Sequence, residues 1–242
     1  MPTMNESDLK KEADNNLLAL AKNRYPGRGI IVGMDEKNQY LVMVYWITGR
    51  SPKSRNRILI NPSCGMVKTI LANPNLQKEE DDLNLVIYTA MDERKGNYAV
   101  SNGHQTASAL IDDMGRWIYE PDHPNHTPRI AAVVCLASPY FAKMSILKKS
   151  PTSYECDRYL YELALSSGLG YCITTYRCDG NPTPQFLGDP YLLPLTGDID
   201  NIANTIWDTL NEENRISLAV KFIDIYTGES RIKIINKYQS IN

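Results

Sequence analysis

Two stretches of this chain each read as strand, turn, strand. In the first, "GIIVGM" (29–34) runs through "DEKN" (35–38) into "YLVMVYWITGR" (40–50). In the second, "ISLAVKFIDIY" (216–226) passes a Gly228 turn into "RIKIINKY" (231–238). Apolar runs of strand length bounded by turn residues predict antiparallel hairpins. "LVIYTAM" (85–91) and "YAVS" (98–101) pair in the same way around "DERKGN". More strands are expected at 129–137, 140–150 and 170–176. Residues 58–60 and 65–71 are short apolar elements, 158–165 fits helix or strand, and 177–194 reads as loop. Three segments carry helical spacing. They are 7–23, with Leu9, Ala13, Leu17 and Leu20 on one face and Ser7 as cap; 106–118, with Ala107, Leu110, Ile111, Met114 and Ile118; and 199–210, with Ile199, Ile202, Ile206 and Leu210. Many hairpins and few helices argue for an α+β chain. Two stacked antiparallel sheets with helices outside would cover every apolar sheet face.

Composition narrows the function classes. Of 242 residues, 43% are hydrophobic and 22% charged, which suits a packed core and not a disordered chain. The formal net charge is −2 and no basic stripe is evident, so duplex nucleic acid is not an expected partner. The five cysteines show no C-x-x-C pair, and Cys135 and Cys172 lie in apolar runs where buried thiols are expected. That usage fits a reducing compartment. The opening "MPTMNESDLKKEADNN" is polar and acid-bearing, unlike a targeting peptide. No apolar run nears the roughly 20 residues a membrane span needs. The expectation is a cytoplasmic protein with no membrane partner. No repeat or linker is visible.

Several familiar chemistries lack their motifs. His123 and His126 lie in the proline-bounded loop "PDHPNHTP" (121–128), without the spacing of a zinc site, so no metal is expected. Gly27-Arg28-Gly29 begins like a dinucleotide fingerprint, but Gly33 comes late and the segment enters a strand. Neither a phosphate-binding G-x-x-x-x-G-K-[ST] loop nor a G-x-S-x-G elbow is present. Met1-Pro2 leaves no N-terminal nucleophile. In "YAVSNGHQT" (98–106) a strand hands over to a helix through an Asn102-Gly103 turn. That is a turn with a helix cap, or a place where unpaired backbone N–H groups meet a small anion. Arg28, Arg50, Arg55, Arg57 and Arg129 each read alone as surface charge, Tyr88 as a sheet residue and Glu120 as a helix-end carboxylate. Taken singly, these residues reach an α+β domain with an anion site.

Taken in order they carry more. "PGRGIIVG" (26–33), "GRSPKSRNR" (49–57), "VIYTAM" (86–91), "VSNGHQT" (100–106), "YE" (119–120), "TPRIAAVV" (127–134) and "ITTY" (173–176) together resemble the archaeal-type inosine monophosphate (IMP) cyclohydrolase family. The resemblance implies a four-layer αββα sandwich like that of N-terminal nucleophile hydrolases, formed here by residues 26–242 behind an N-terminal helical extension, 1–25. It implies ring closure of formamidoimidazole-carboxamide ribonucleotide to IMP and water, without metal or redox cofactor. The partner is then a purine ribonucleotide, with self-association left open. By motif position, Arg57, Tyr88 and Glu120 match the family's catalytic arginine, tyrosine and glutamate. Arg28, Arg50, Asn102, His104, Thr127 and Arg129 match positions that bind substrate.

The sequence also departs from the pattern. The basic loop carries extra residues, which makes Arg55 an alternative to Arg57. Gln105 stands where a histidine is expected, one place after His104. The loop between Glu120 and Thr127 is longer. Such a chain is a cyclohydrolase or a non-catalytic purine-nucleotide-binding relative. A third class, an amide hydrolase with an internal cysteine, needs an activated thiol that no motif supplies.

Overall fold

A computed structural model describes residues 5–76, 83–111, 117–122 and 125–239. The chain opens with helix α1 (Glu6–Lys22). Its cap is Asn5, whose side chain accepts the Asp8 N–H, so the cap lies two positions before Ser7. Ala13 of this helix packs on Leu169 and Leu192, and Leu20 on the first sheet. The hairpin that follows joins β1 (Gly29–Met34) to β2 (Tyr40–Thr48), with Gly29 opposite Trp46 and Met34 opposite Leu41. Asp35 sets its turn, accepting the N–H groups of Lys37, Gln39 and Tyr40 on its carboxylate.

Beyond β2 come one helical turn, α2 (Pro52–Arg55), and the short strands β3 (Ile58–Ile60) and β4 (Val67–Ile70). Strands β5 (Thr89–Arg94) and β6 (Asn97–Ser101) form a hairpin where one was expected from 85–91 and 98–101, but its first strand begins at Thr89 and runs on to Arg94, into the expected turn. A turn of helix, α3 (Gln105–Ala109), precedes β7 (Arg129–Cys135), β8 (Phe141–Lys149) and β9 (Cys156–Ala164). Strands β10 (Leu169–Thr174) and β11 (Tyr191–Pro194) return to the first sheet. Helix α4 (Ile199–Thr209) and the hairpin β12 (Arg215–Asp224) and β13 (Ser230–Asn236) close the chain. The sheets run β11-β10-β1-β2-β12-β13 and β3-β4-β5-β6-β7-β8-β9, with antiparallel neighbours throughout.

The main core lies between the sheets. Ile30, Val32, Leu41, Met43 and Tyr45 face Val100, Ile130, Ala132, Met144 and Ile146 across it. The alternate residues Ile31, Val42, Val44 and Trp46 face outward and are covered by Leu20 of α1 and Ile202 and Ile206 of α4. Both faces of β2 are therefore buried, which explains why its sequence is an unbroken apolar run without polar alternation. The α+β expectation holds.

Some local expectations fail. The helix expected at 106–118 is the single turn of α3, followed by chain without regular structure at 117–120; residues 112–116 lie outside the described residues. Ile111 and Ile118 are exposed by 73% and 57%, so their spacing has no apolar surface to serve, and Trp117 is the residue that enters the small outer cluster with Ala99, Ala109 and Ala131. Among the described residues, α3 is thus the only helix on this face of the second sheet. Residues 158–164 belong to an edge strand, and the expected loop 177–194 contains β11. Cys135 is half-buried, not buried. Burial pushes the Cys172 thiol up to about 12, the reverse of what a nucleophile needs. No described helix is long and apolar enough to cross a membrane.

Candidate functional site

Strand ends from both sheets meet around a cavity of about 510 Å³. Arg28 precedes β1, Arg50 follows β2, Arg57 precedes β3, Arg129 opens β7 and Tyr176 follows β10; all five line the cavity. With Lys53, five cationic side chains stand beside one carboxylate, Asp122, among the described lining residues. The glycines flanking Arg28 serve this convergence. Gly27 has φ +76°, and a Cβ there would lie 2.0 Å from Thr175 Oγ1. At Gly29 a Cβ would lie 1.9 Å from the Trp46 ring. The Gly-Arg-Gly triplet therefore lets backbone pack closely and is no dinucleotide fingerprint.

Arg57 is 5% exposed, and its Nε and Nη1 are buried without a hydrogen-bond partner. Burial, then the nearby charge of Arg28, pushes its guanidinium down to about 10, so it stays a cation at neutral pH. Arg129 is equally buried; its Nε donates to the Glu120 carbonyl at 2.7 Å while Nη2 has no partner. Burial opposes charge on Arg28 too, but the surrounding phenols, Tyr88 foremost, hold it above the ordinary arginine value. Among the described residues, no carboxylate pairs with Arg28, Arg57 or Arg129. Asp122 is engaged elsewhere, accepting the N–H and, at 2.6 Å, the hydroxyl of Thr127. Thr127 also shares a 2.9 Å hydrogen bond with the Tyr176 hydroxyl. Buried cations without counter-ions are costly, so this arrangement suits an anionic ligand.

The structure separates the two candidate arginines of the basic loop. Arg55 turns away, donating from Nε to Gly49 O at 3.1 Å and from Nη2 to Asn214 Oδ1 at 3.4 Å. It lines a different cavity, with Leu76 and Tyr238. Arg50 stands at the rim of the anion cavity and is partnered. It forms an ion pair with Asp179, donates to Gly180 O at 3.0 Å and to Thr183 Oγ1 at 2.6 Å, and lies 4.3 Å above the Tyr25 ring. Arg50 thus fastens residues 179–183 to the cavity wall.

Tyr88 lies just behind the wall, 2% exposed. Thr69 pins its backbone: Tyr88 N–H donates to Thr69 Oγ1 at 2.9 Å, and Thr69 N–H donates to the Tyr88 carbonyl at 2.9 Å. Its hydroxyl is 2.5 Å from that of Tyr45. The sequence reading missed Tyr45. The available signal was a phenol on the core face of β2, where a hydroxyl requires a partner. Burial, then the neighbouring Tyr88, holds the Tyr45 phenol well above its ordinary value, against the pull of Arg28 and Arg57.

His104 packs edge-on against Tyr88, with ring centroids 6.4 Å apart. The His104 backbone N–H donates to Glu120 Oε2 at 2.9 Å. Glu120 thus reaches Tyr88 through His104 and Arg129 through its own carbonyl. The "SNGHQT" turn is explained here in part: the anion at its exposed N–H is Glu120. The Asn102 side chain serves the fold. It accepts from Ile130 N–H at 2.9 Å and Gln105 Nε2 at 3.0 Å, and donates to the Pro128 carbonyl at 2.9 Å. These bonds clamp this turn to the start of β7, and Asn102 is not among the described residues lining the cavity.

Arg28, Arg50, Arg57, Thr127 and Arg129 thus share one cavity wall; Tyr88, His104 and Glu120 are not among its lining residues and connect to it through the Glu120 carbonyl, which accepts from Arg129. Asn102 holds the turn in place. His126 is described and His123 lies outside the described residues; among the described residues no cluster of His, Cys, Asp and Glu could hold a metal. Residues 25–229 match a family model described as IMP cyclohydrolase-like protein. No curated protein matches the chain.

Proposed function

The chain belongs to the IMP cyclohydrolase-like family, and from that premise we propose that it closes the purine ring of formamidoimidazole-carboxamide ribonucleotide, releasing IMP and water. The observation that carries this reading is the pair of buried arginines, Arg57 and Arg129, which line the cavity and keep nitrogens without a partner, while the one carboxylate among its described lining residues, Asp122, is engaged by Thr127. Guanidinium groups suit a phosphate and a developing oxyanion alike.

In the reaction the carboxamide nitrogen attacks the formyl carbon and forms the new C–N bond. The formyl C–O bond then breaks. One proton from the carboxamide nitrogen and one from the formamide nitrogen leave with that oxygen as water. An amide nitrogen is a weak nucleophile, so holding the two groups in attack geometry supplies much of the acceleration. We assign polarisation of the formyl oxygen to Arg57, donation toward that oxygen to Tyr88, and orientation or deprotonation of the carboxamide to Glu120. Glu120 Oε2 already holds the His104 N–H, which leaves Oε1 for the substrate. Arg28 and Arg129 serve the phosphate or base, and Arg50 closes the rim. The same reading places the stacked sheets beside the four-layer sandwich of N-terminal nucleophile hydrolases.

Incubation of purified protein with the formamido ribonucleotide tests the reading, with IMP followed by absorbance. Turnover without added metal is expected. Nucleotide binding without turnover would instead make the protein a non-catalytic relative. Glu120→Gln should lower kcat far more than affinity; equal losses would remove its chemical role.

A further inference from the structure

We propose that Tyr45 is a positioning residue for the ring closure, acting through Tyr88 by fixing where the Tyr88 proton points. This rests on the cyclohydrolase reading.

Tyr45 is fully buried on the core face of β2, opposite Ile30 of β1 and inside the main apolar cluster. Its hydroxyl bonds to the Tyr88 hydroxyl at 2.5 Å. The two oxygens carry two protons, and one of these lies between them. The guanidinium groups of Arg28 and Arg57 act on both phenols. Guanidinium groups donate and cannot accept. Among the described residues the Tyr45 hydroxyl bonds to Tyr88 alone, inside the apolar cluster, so a Tyr45 proton pointing elsewhere would find no acceptor there. Tyr88 is the phenol that also meets the His104 ring. The arrangement we infer has Tyr45 donating to the Tyr88 oxygen, which leaves the Tyr88 proton directed away from Tyr45.

The consequence for the reaction is specific. As the substrate's formyl oxygen gains negative charge, Tyr88 passes its proton to it. The phenolate left on Tyr88 keeps the Tyr45 hydrogen bond, now to a charged acceptor, and regains a proton from the nitrogen side as water departs. Tyr45 neither touches substrate nor changes its own protonation. Its effect is on the transition state and not on ground-state binding.

The test is Tyr45→Phe, which keeps the ring in the core and removes only the hydroxyl. A hydrogen bond to a charged group is worth a factor of about 10–100, so kcat should fall by that much while KM for the formamido ribonucleotide stays within about twofold. The loss should vanish in a Tyr88→Phe background, where no phenol is left to position: there Tyr45→Phe should change kcat by less than about twofold. An equal loss in that background overturns the proposal, as does a loss confined to KM. Should Tyr45→Phe fail to fold, Tyr88→Phe gives a second readout. Isotope-labelled Tyr45 should change its ring-carbon resonance when its acceptor is removed, and no change overturns the proposal. A wild-type protein without turnover ends the cyclohydrolase reading and this role with it, while the Tyr45 resonance still reports whether its hydroxyl bonds to Tyr88.

Discussion

Lys221 on β12 and Arg57 ahead of β3 are both deeply buried cations, and their surroundings differ in kind. Lys221 is fully buried and carries its counter-ion with it. Its Nζ pairs with Glu93, donates to Gly65 O at 2.8 Å and lies 5.0 Å from the Tyr98 ring centroid. Gly65 makes room for this arrangement, since a Cβ there would lie 2.1 Å from the Glu93 carboxyl carbon. Burial lowers the Lys221 pKa, and Glu93 opposes the shift. Arg57 has no carboxylate and leaves two nitrogens unpartnered. A cation that holds the fold together is matched within the chain; one that serves a ligand leaves its match to the ligand. The desolvation cost is alike in both places, and only the first is offset before anything binds.

The largest expected effect removes the counter-ion of Lys221. Glu93→Ala should cost about 3–5 kcal/mol in urea unfolding, because a buried charge loses its partner. A loss below about 1 kcal/mol would show that Lys221 does not depend on Glu93, and the contrast would collapse. Next, Arg57→Gln should lower kcat/KM by about 10²–10³ while leaving unfolding free energy equal or higher. A matching loss of stability would make Arg57 structural, like Lys221. Third, IMP at a hundred times its Kd should stabilise the wild type by about 2.7 kcal/mol in thermal unfolding. Arg57→Gln should lose most of that gain.

A pH series separates the two cations more finely. The folded-state value of Arg57, about 10, lies below that of an ordinary arginine, so the unfolded chain holds the proton more tightly above pH 10. Its unfavourable contribution is therefore complete below pH 10 and fades as pH rises through 10. The stability of the wild type relative to Arg57→Gln should improve by about 1 kcal/mol between pH 9 and 11. A flat difference would place Arg57 in water. The smallest effect is expected at Arg55, whose bonds go to Gly49 O and Asn214 Oδ1. Arg55→Ala should cost about 1 kcal/mol in stability and leave kcat/KM within about twofold.

Much of the fold is legible in the sequence, and the failures are instructive. The β1–β2 hairpin, β12–β13, α1 and α4 follow from periodicity and turn residues, because each pattern is local and each meets an apolar surface. The failure at 106–118 is of one kind: helical spacing was present, but Ile111 and Ile118 face water. Strand β11 was hidden in a proline-rich stretch, and its assignment depends on pairing with β10. At the site, ordered motifs bring forward the arginines that line one cavity, yet they cannot choose between Arg55 and Arg57. Asn102 looked like a ligand contact because its three hydrogen-bond partners, Ile130, Gln105 and Pro128, become visible only once the turn meets β7.

The sequence by itself determined the β1–β2 and β12–β13 hairpins, α1 and α4, which of their faces are apolar, and which arginines, tyrosine and glutamate come in the order of the motifs. Those properties reside in neighbouring residues and survive without the rest of the chain. Tertiary structure alone decided that Arg57 is buried without a counter-ion among the described residues, that the Glu120 carboxylate is held by the His104 N–H, and that Tyr45 meets Tyr88, 43 positions away in the chain. Burial and partner choice depend on groups distant along the chain, so charge state and proton direction at this site exist only after the two sheets have packed.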